Sequence, residues 1–374
     1  MNLSYWELKT WLDKLDFCIV GSGITGLSCA LELRESHPEA RILILEKGVF
    51  PQGASTKNAG FACFGSLTEI LSDLQQHSED EVVALVEQRL SGIKLLRKRL
   101  GDKALDFRQW GGYEIFQEKD AAVFEGCLNE MDRINALLEP VFGKSCFRLA
   151  ENTFGFRGVL PELILHSAEG QIDTGKMMQA LLNKVQGHNN PVMILNGVEL
   201  KSYTDLGHTV AIGTNRFDFK AGKLLLATNG FAGHSGAALV RPARAQVLIT
   251  EPIPKLAIHG TFHMDEGFYY FRNVGQRILF GGGRNLDPEG ETTTEFGQTP
   301  LIQDKLEALL REVILPGIPF RIAQRWSGIM GVGPQKRPIV EKFSENVACG
   351  VRLGGMGVAI GSHVGKELAG LANG

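Results

Sequence analysis

Three glycines and one glutamate near the start of the chain have the spacing of a dinucleotide-binding site. Gly21, Gly23 and Gly26 lie between a short apolar run and a segment whose apolar residues recur three and four apart. Gly21 permits a tight turn, Gly23 lets a pyrophosphate approach a helix N-terminus, and Gly26 lets that helix pack closely on the strand. A second apolar run ends at Glu46, 20 residues after Gly26, where an acid bonds a ribose hydroxyl. The pattern predicts a bound dinucleotide, and the Glu46 carboxylate would repel the 2′-phosphate of NADP.

The segment that follows Glu46 favours FAD over NAD. Residues 53–66, GASTKNAGFACFGS, are small and polar and do not resemble a third parallel strand with its helix. Such a loop can lay backbone N–H groups along a long cofactor, and Lys57 and Cys63 could face the flavin ring from it. A flexible surface loop is the alternative, because clusters of this composition are usually loops.

A second glycine cluster lies near the C-terminus. Gly354-Gly355-Met356-Gly357 precedes an apolar stripe at helical spacing. A glycine turn that enters a helix exposes N–H groups and the positive end of the dipole, which suits a group that becomes negative. The alternative is an ordinary helix start with glycines that serve packing.

The intervening residues predict the elements that must position these motifs. Apolar residues over 81–100 recur at helical spacing, which predicts an amphipathic helix. Further helices are predicted over 173–185, with Asp173 or Thr174 as N-cap, and over 300–315. Short apolar or alternating pieces over 192–228 predict successive strands.

Bulk composition narrows the class of protein. The 374 residues are 44% hydrophobic and 22% charged, with a net charge of −3, so neither a nucleic-acid partner nor an unfolded chain is expected. No apolar run approaches the roughly 20 residues of a membrane span. None of the six cysteines forms a C-x-x-C pair, which favours a reduced, cytoplasmic protein. His259 and His263 are four apart, but their flanks are strand-like, so no metal site is expected.

Together these stretches resemble the FAD-dependent oxidoreductases of the D-amino-acid oxidase (DAO) superfamily. The resemblance rests on VGSGITGLSCALEL, LEKG and the 53–66 loop, and on KLLLATNGFAG (223–233), GFYYFRNVGQRILFGGG (267–283) and RWSGIMG with the segment up to 370. It covers nearly the whole chain and is nearest to the glycine/sarcosine oxidase and γ-glutamylputrescine oxidase branch.

The resemblance implies an α/β fold of two interleaved domains. A Rossmann-like FAD-binding domain, a parallel sheet with helices, would take 1–65, 150–235 and 325–374. An α+β substrate-binding domain built on an antiparallel sheet would take 66–149 and 236–324. The FAD is expected to be non-covalent, because Asn58 stands near where some relatives attach FAD through His, and Cys349 does not fall where others use Cys.

The resemblance also implies a set of FAD contacts. They are Gly21, Ser22, Gly23, Ile24, Thr25, Gly26, Glu46, Lys47, Ala54, Ser55, Asn58, Ala59, Gly60, Val198, Thr228, Asn229, Gly328, Gly354, Gly355, Met356, Gly357 and Val358.

On the substrate side, alternation along a strand puts Tyr269 and Phe271 on one face and Tyr270 and Arg272 on the other. Tyr269 best matches the substrate-side tyrosine of the family, and plain sheet packing is the alternative. Amino-acid-oxidising relatives usually carry an arginine two residues after the glycine of the WSGIMG motif, where this chain has Met330. That absence favours an amine over an amino acid held by its carboxylate, unless Arg272 supplies the charge. Met330 as an ordinary core residue is the alternative.

The activity implied is oxidation of a C–N bond of an amine or amino acid, by hydride transfer to flavin N5, which gives an imine. O2 or another soluble acceptor would take the electrons. A 2-hydroxyacid dehydrogenase on the same fold would need a base, usually His, and His363 is the nearest candidate. A flavoprotein that modifies tRNA would need a basic face, which the net charge does not suggest.

Overall fold

The computed structural model describes residues 2–187, 190–234 and 240–372. The predicted domain boundary between 235 and 236 and the end of the last predicted segment lie outside the described residues.

Helices surround the sheets on several sides. They are α1 (Tyr5–Glu7), α2 (Ile24–Ser36), α3 (Leu67–Leu74), α4 (Glu79–Leu100), α5 (Asp102–Leu105), α6 (Ala121–Phe142), α7 (Thr174–Gln186), α8 (Pro300–Leu309) and α9 (Gly357–Ala372). The helices predicted from periodicity are confirmed at α4, α7 and α8, and Asp173 caps α7 by accepting a hydrogen bond from Lys176 N at 2.9 Å. The strands predicted over 192–228 are confirmed as well. No helix in the described ranges combines the length and apolarity that crossing a membrane requires.

The strands of the described residues fall into two large sheets and one small pair. They are β1 (Leu15–Val20), β2 (Ile42–Glu46), β3 (Phe61–Ala62), β4 (Gly112–Ile115), β5 (Phe147–Glu151), β6 (Glu162–His166), β7 (Gly170–Gln171), β8 (Met193–Asn196), β9 (Leu200–Asp205), β10 (Val210–Thr214), β11 (Asp218–Leu226), β12 (Arg241–Thr250), β13 (Thr261–Met264), β14 (Tyr269–Val274), β15 (Arg277–Gly282), β16 (Ile322–Val332), β17 (Ile339–Lys342) and β18 (Val347–Val351).

The first sheet has the strand order β17-β18-β11-β1-β2-β8, with β10 and β9 attached beyond β11. Its central pairs are parallel, β11 with β1, β1 with β2, and β2 with β8. Every residue of β2 is buried, as expected of a parallel strand covered on both faces. This sheet forms the Rossmann-like half of the predicted α/β fold.

Helices α2 and α9 pack side by side over this sheet, and their N-termini lie at the same end. A Cβ on Gly361 would lie 2.9 Å from the Ile24 side chain, and a Cβ on Gly365 would lie 2.6 Å from Thr25 O. The Ser28 and Ser362 hydroxyl oxygens are 3.2 Å apart. Small residues on α9 therefore bring two positive helix ends to one place.

The second sheet has the order β16-β12-β15-β14-β13-β4-β6-β5 and is antiparallel except between β13 and β4. One of its faces is covered by α8 over a cluster that includes Phe262, Phe271 and Phe280. The opposite face carries Val247, Tyr270 and Trp326. A sheet with two buried faces explains why its strands are rich in aromatic residues on both sides.

Parallel and antiparallel sheets are thus both present, and the predicted fold class is confirmed. The division into two domains stays a prediction. Strands β6 and β16 both belong to the second sheet, where β6 lies between β4 and β5 and β16 pairs with β12. The predicted segments 150–235 and 325–374 instead assign β6 and most of β16 to the nucleotide-binding half.

Candidate active site

A cavity of about 1020 Å³ lies between the two sheets and is lined by most of the site residues that the sequence predicts. Its walls come from the turns after β1 and β2, the loop before β3, the β13–β14 hairpin, β16 and the turn before α9. The cavity therefore joins a nucleotide-binding end to a wall of the antiparallel sheet.

The nucleotide end is lined by backbone that approaches too closely for side chains. Gly21 has a φ of +105°, and a Cβ there would lie 2.7 Å from Ala227 O. A Cβ on Gly23 would lie 2.8 Å from Ser55 Oγ, which accepts a hydrogen bond from Ile24 N at 3.0 Å. Only backbone atoms and the Ser55 hydroxyl therefore lie between the first turn of α2 and the cavity. Anion binding at a helix N-terminus requires such open access to the backbone N–H groups.

Glu46 ends β2 at the edge of the cavity, and its carboxylate is already oriented. Ser22 donates to Glu46 Oε2 from its hydroxyl at 2.7 Å and from its N–H at 3.1 Å, and Gly48 N donates to Oε1 at 2.9 Å. The carboxylate is buried and cannot swing away. This is the preorganisation expected of an acid that bonds a ribose hydroxyl.

Two buried hydroxyls near this end have no partner among the described residues. Thr25 Oγ1 and Thr228 Oγ1 make no hydrogen bond, although buried polar atoms are normally satisfied. Thr25 lies in the first turn of α2, and Thr228 follows β11. Both residues line the cavity, so a polar ligand such as the FAD phosphate and ribose groups would supply the missing partners.

The turn before α9 is fixed by Asn229. Its Oδ1 accepts a hydrogen bond from Leu353 N at 3.1 Å, and Gly354 N donates to Gly331 O at 3.0 Å. Gly354 has a φ of +57°. The N-terminal end of α9 consequently points into the cavity next to that of α2.

Most of the predicted FAD contacts line the cavity, together with Met330. They are Gly21, Gly23, Ile24, Thr25, Glu46, Lys47, Ala54, Ser55, Asn58, Ala59, Val198, Thr228, Asn229, Gly328, Gly354, Gly355, Met356, Gly357 and Val358. Lys57 and Cys63 line it too. Their contacts with FAD remain a proposal.

Three predicted contacts do not line the cavity and pack against other parts of the chain. Ser22 is buried and holds Glu46. Gly26 packs against the glycine turn, where a Cβ would lie 1.9 Å from Gly21 O. Gly60, with a φ of +76°, faces Ile172 O, which a Cβ would approach to 2.4 Å.

Tyr269, predicted as the substrate-side tyrosine, does not line the cavity, whereas its neighbour Tyr270 does. Tyr269 is buried in the cluster under α8, with its ring centroid 6.3 Å from that of Phe280. Tyr270 lines the cavity and packs edge-on against Phe61 at 5.7 Å. The alternation predicted along β14 is present, but α8 covers the face that carries Tyr269. The sequence of β14 alone does not indicate which of its two faces α8 covers.

Arg272, predicted as a possible source of the substrate-binding charge, does not line the cavity either, and each of its three nitrogens donates to a backbone oxygen. It is buried and donates to Ala59 O, to Ile172 O at 2.9 Å and to Asn273 O at 3.3 Å. Burial lowers the pKa of Arg272 to about 10. The residue clamps the small-residue loop onto the second sheet and is not free to hold a substrate.

Sequence reasoning missed His263 as a cavity residue. It lines the cavity from β13, and its Nε2 is 3.3 Å from Glu169 Oε2. Burial alone would lower the pKa of His263, but the hydrogen bond and charge of Glu169 outweigh it and the pKa is raised. His363, the histidine predicted as nearest, instead lies on α9 with Nε2 3.1 Å from Glu367 Oε1 and outside the cavity lining. Only the pairing of β13 with β14, which places His263 opposite Tyr270, could have revealed it.

The two loop residues considered for the flavin ring have different surroundings. Burial raises the pKa of the Cys63 thiol well above its usual range, and its Sγ lies 3.1 Å from Met356 Sδ. Lys57 Nζ lies 5.3 Å from the centre of the Phe296 ring. The buried thiol packs as an apolar group and is not poised as a nucleophile.

Comparison with known proteins identifies the family. The sequence model described as "DAO: FAD dependent oxidoreductase" matches residues 16–371. The chain is 22% identical to gamma-glutamylputrescine oxidoreductase of Escherichia coli (strain K12) over 391 residues, covering 96% of this chain and 84% of that protein.

Solved structures show the same fold. Iminodiacetate oxidase from Chelativorans sp. BNC1 has a TM-score of 0.75 at 18% identity, with 95% of this chain and 94% of that chain covered. Glycine oxidase from Geobacillus kaustophilus has a TM-score of 0.73 at 17% identity, with 96% and 95% covered. The glycine cradle, the held Glu46 and the matched family model agree, and the chain belongs to the FAD dependent oxidoreductases of the DAO family, with FAD as its cofactor.

Proposed function

We propose that this protein oxidises a C–N bond of a small amine or amino acid and releases an imine. The observation that carries the proposal is the single cavity that joins the nucleotide cradle to the wall formed by Phe61, His263, Tyr270 and Met330. Gamma-glutamylputrescine oxidoreductase, glycine oxidase and iminodiacetate oxidase, all named for nitrogen-containing compounds, support the substrate class.

The chain's own residues bind the cofactor, orient the substrate and shield it from water. FAD, when bound, supplies the hydride acceptor for a C–H bond beside nitrogen. The ends of α2 and α9 and the Glu46 carboxylate hold the cofactor, and Phe61 and Tyr270 form an aromatic wall that excludes water from the substrate. Asn58 carries no nucleophile, and its amide bonds within its own loop and to the Thr174 hydroxyl, which supports a non-covalent cofactor.

The charge that would hold a substrate carboxylate is assigned to Arg284. Met330 lines the cavity at the motif position where the family resemblance implies an arginine, and Arg272 lies outside the lining with its three nitrogens donating to backbone oxygens. Arg284 lines the same cavity and is half-buried, and no described residue forms an ion pair with its guanidinium. Burial raises the pKa of Tyr270 to about 12, and the positive charge of Arg284, which lines the same cavity, opposes that rise. A carboxylate bound in this cavity would have one cation, Arg284, and one hydroxyl, that of Tyr270, among the groups available to it.

A 2-hydroxyacid dehydrogenase remains the second candidate. It requires a histidine beside the flavin, and the placement of His263 in the cavity favours it. An alcohol and an amine of the same carbon skeleton separate the two functions directly.

Further proposals concern the electron acceptor, the cellular location and the domain division. The electron acceptor is O2 or another soluble acceptor, and no nucleic acid takes part. A cytoplasmic location is supported by the six cysteines, which are all free and buried. The division into an FAD-binding domain of 1–65, 150–235 and 325–374 and a substrate-binding domain of 66–149 and 236–324 is likewise a proposal.

The test is anaerobic bleaching of the yellow holoenzyme by a panel of amines, N-methyl amino acids, D-amino acids and hydroxy acids. Bleaching by one or more nitrogen compounds is expected, with the hydroxy acids inactive. Bleaching by hydroxy acids alone would establish the second candidate, and bleaching by neither class would exclude both.

A further inference from the structure

We propose that His263 is the catalytic base that removes the proton of a substrate ammonium group, and that Glu169 is its positioning residue. The inference rests on the proposed function, because it concerns an amine that arrives in its charged form. Amines are mostly protonated near neutral pH, whereas oxidation beside nitrogen needs the free lone pair.

The geometry of His263 is that of a base with an orienting carboxylate. Nε2 faces Glu169 Oε2 at 3.3 Å, and no described residue hydrogen-bonds to Nδ1. The ring packs edge-on against Phe61 with centroids 5.3 Å apart, and the residue lines the cavity. One ring nitrogen is thus committed to a carboxylate, and the other is left for a ligand.

The register of the second sheet places His263 beside the proposed substrate wall. His263 pairs with Tyr270 across β13 and β14, and with Glu114 across β13 and β4. Paired residues share a face of the sheet. His263 and Tyr270 therefore approach a bound substrate from neighbouring positions on the same wall.

Glu169 is fixed from three directions. Its Oε1 accepts a hydrogen bond from Phe64 N at 2.8 Å, and its side chain lies over Gly112, where a Cβ would come within 1.8 Å of Oε2. It is fully buried, yet its pKa is lowered, because burial is outweighed by the hydrogen bond and charge of His263. An ionised Glu169 selects the tautomer with hydrogen on Nε2, which leaves the lone pair on Nδ1 of this cavity-lining residue.

The proton step is balanced without a further reagent. The lone pair of Nδ1 takes one proton from R–NH3⁺, which breaks an N–H bond of the substrate and forms an N–H bond on His263. The products are R–NH2 and an imidazolium that Glu169 stabilises. The proton leaves later to water at the cavity mouth.

Other negative charges around His263 also raise its pKa. Glu169, Glu69 and Glu114 all raise its pKa against the effect of burial. The titratable groups nearby also include Tyr270 and His166, and Cys63 is affected by two of the same carboxylates, Glu169 and Glu69. The neutral imidazole of His263 accepts a proton readily. Because the pKa of His263 is raised, the imidazole is mostly neutral only at a pH above that raised value.

The test is an anaerobic stopped-flow pH profile of flavin reduction by N-methylglycine, or by the panel amine that reduces the flavin fastest, using the holoenzyme. For the native chain, the reduction rate constant divided by Kd should rise through the pKa of His263 and level off or fall as the amine itself deprotonates. In His263→Gln the first limb should vanish, and the ratio should fall about tenfold per pH unit below the pKa of the amine. In Glu169→Gln the first limb should move to lower pH, because the carboxylate that raises the histidine pKa is gone.

A second readout does not depend on turnover. The visible absorbance of the bound flavin should shift with pH as His263 titrates, and His263→Gln should abolish that shift. FAD content and thermal unfolding of each variant verify folding, and His208→Gln is the matched control, since His208 is exposed and lies outside the cavity lining. An unchanged pH profile in a folded, FAD-loaded His263→Gln enzyme would overturn the inference alone, whereas a holoenzyme that no amine reduces would overturn the proposed function.

Discussion

The ring of Tyr270 lies over the bare backbone of Gly281, where a Cβ would come within 2.8 Å of its Cε2 and Cζ atoms. The two residues are paired across β14 and β15, so the missing side chain of Gly281 makes room for the ring. This contact lays the aromatic side chain of Tyr270 along the cavity wall.

Tyr270→Phe removes the only polar atom of that side chain and leaves the ring in place. A hydroxyl that bonds a substrate contributes about 0.5–1.5 kcal/mol, so KM should rise by about threefold to tenfold. Tyr269→Phe is the matched control, because that ring lies in the cluster under α8. Steady-state kinetics should show under about a twofold change for the control. Equal effects of both substitutions would contradict the assignment of Tyr270 to the cavity.

Met330→Arg introduces the cation that the family resemblance predicts for this position of the WSGIMG motif. A charge-assisted pair with a substrate carboxylate is worth about 1.5–3 kcal/mol, which corresponds to at least about tenfold tighter binding of small amino acids. Binding is measured by titration of the flavin spectrum with acetate. Met330→Leu keeps an apolar side chain and should leave the affinity unchanged. If Met330→Arg brings no gain over Met330→Leu, position 330 does not face the substrate carboxylate.

Arg284→Gln tests the proposed carboxylate anchor. Loss of the guanidinium should weaken acetate binding about tenfold or more and raise KM for amino acids, with less effect on amines that lack a carboxylate. Lys336→Gln is the comparison, because Lys336 Nζ already pairs with Asp73 Oδ1 at 2.6 Å. Equal losses in the two variants would show a general effect of cavity charge and would remove the specific role of Arg284.

Glu46→Gln tests the nucleotide end. The amide cannot accept all the hydrogen bonds from Ser22 and Gly48 and from a ribose hydroxyl, so FAD affinity should fall about tenfold or more. FAD retained after gel filtration and the Kd from fluorescence titration measure the effect. Glu35→Gln changes an exposed glutamate on α2 and should retain FAD normally. Full FAD retention by Glu46→Gln would contradict a role in ribose binding.

The nucleotide-binding end was predictable because its signals are local. Gly21, Gly23 and Glu46 lie within one strand–helix–strand unit, and the backbone conformations they require restrict residue type directly. The helices α4 and α7 were predictable for a similar reason, since the apolar period along one segment defines the buried face.

The substrate wall was not predictable in the same way. Alternation along β14 separates Tyr269 from Tyr270, but only the packing of α8 decides which face becomes core. Arg272 has the chemistry of a carboxylate anchor, and only its distance in space to Ala59 and Ile172 shows that backbone consumes its donors. His263 meets Glu169 across 94 positions of sequence. Such contacts depend on sheet register, which a single sequence does not contain.

The central claim is that the cavity oxidises carbon next to nitrogen, and a single-turnover reaction tests it most directly. Anaerobic holoenzyme is mixed with the most active amine of the panel and, separately, with the alcohol of the same carbon skeleton, and flavin absorbance and products are measured together. We predict that the amine bleaches the flavin and yields one equivalent of the carbonyl compound from imine hydrolysis, while the alcohol leaves the flavin oxidised. Bleaching by the alcohol with no reaction of the amine would contradict the account.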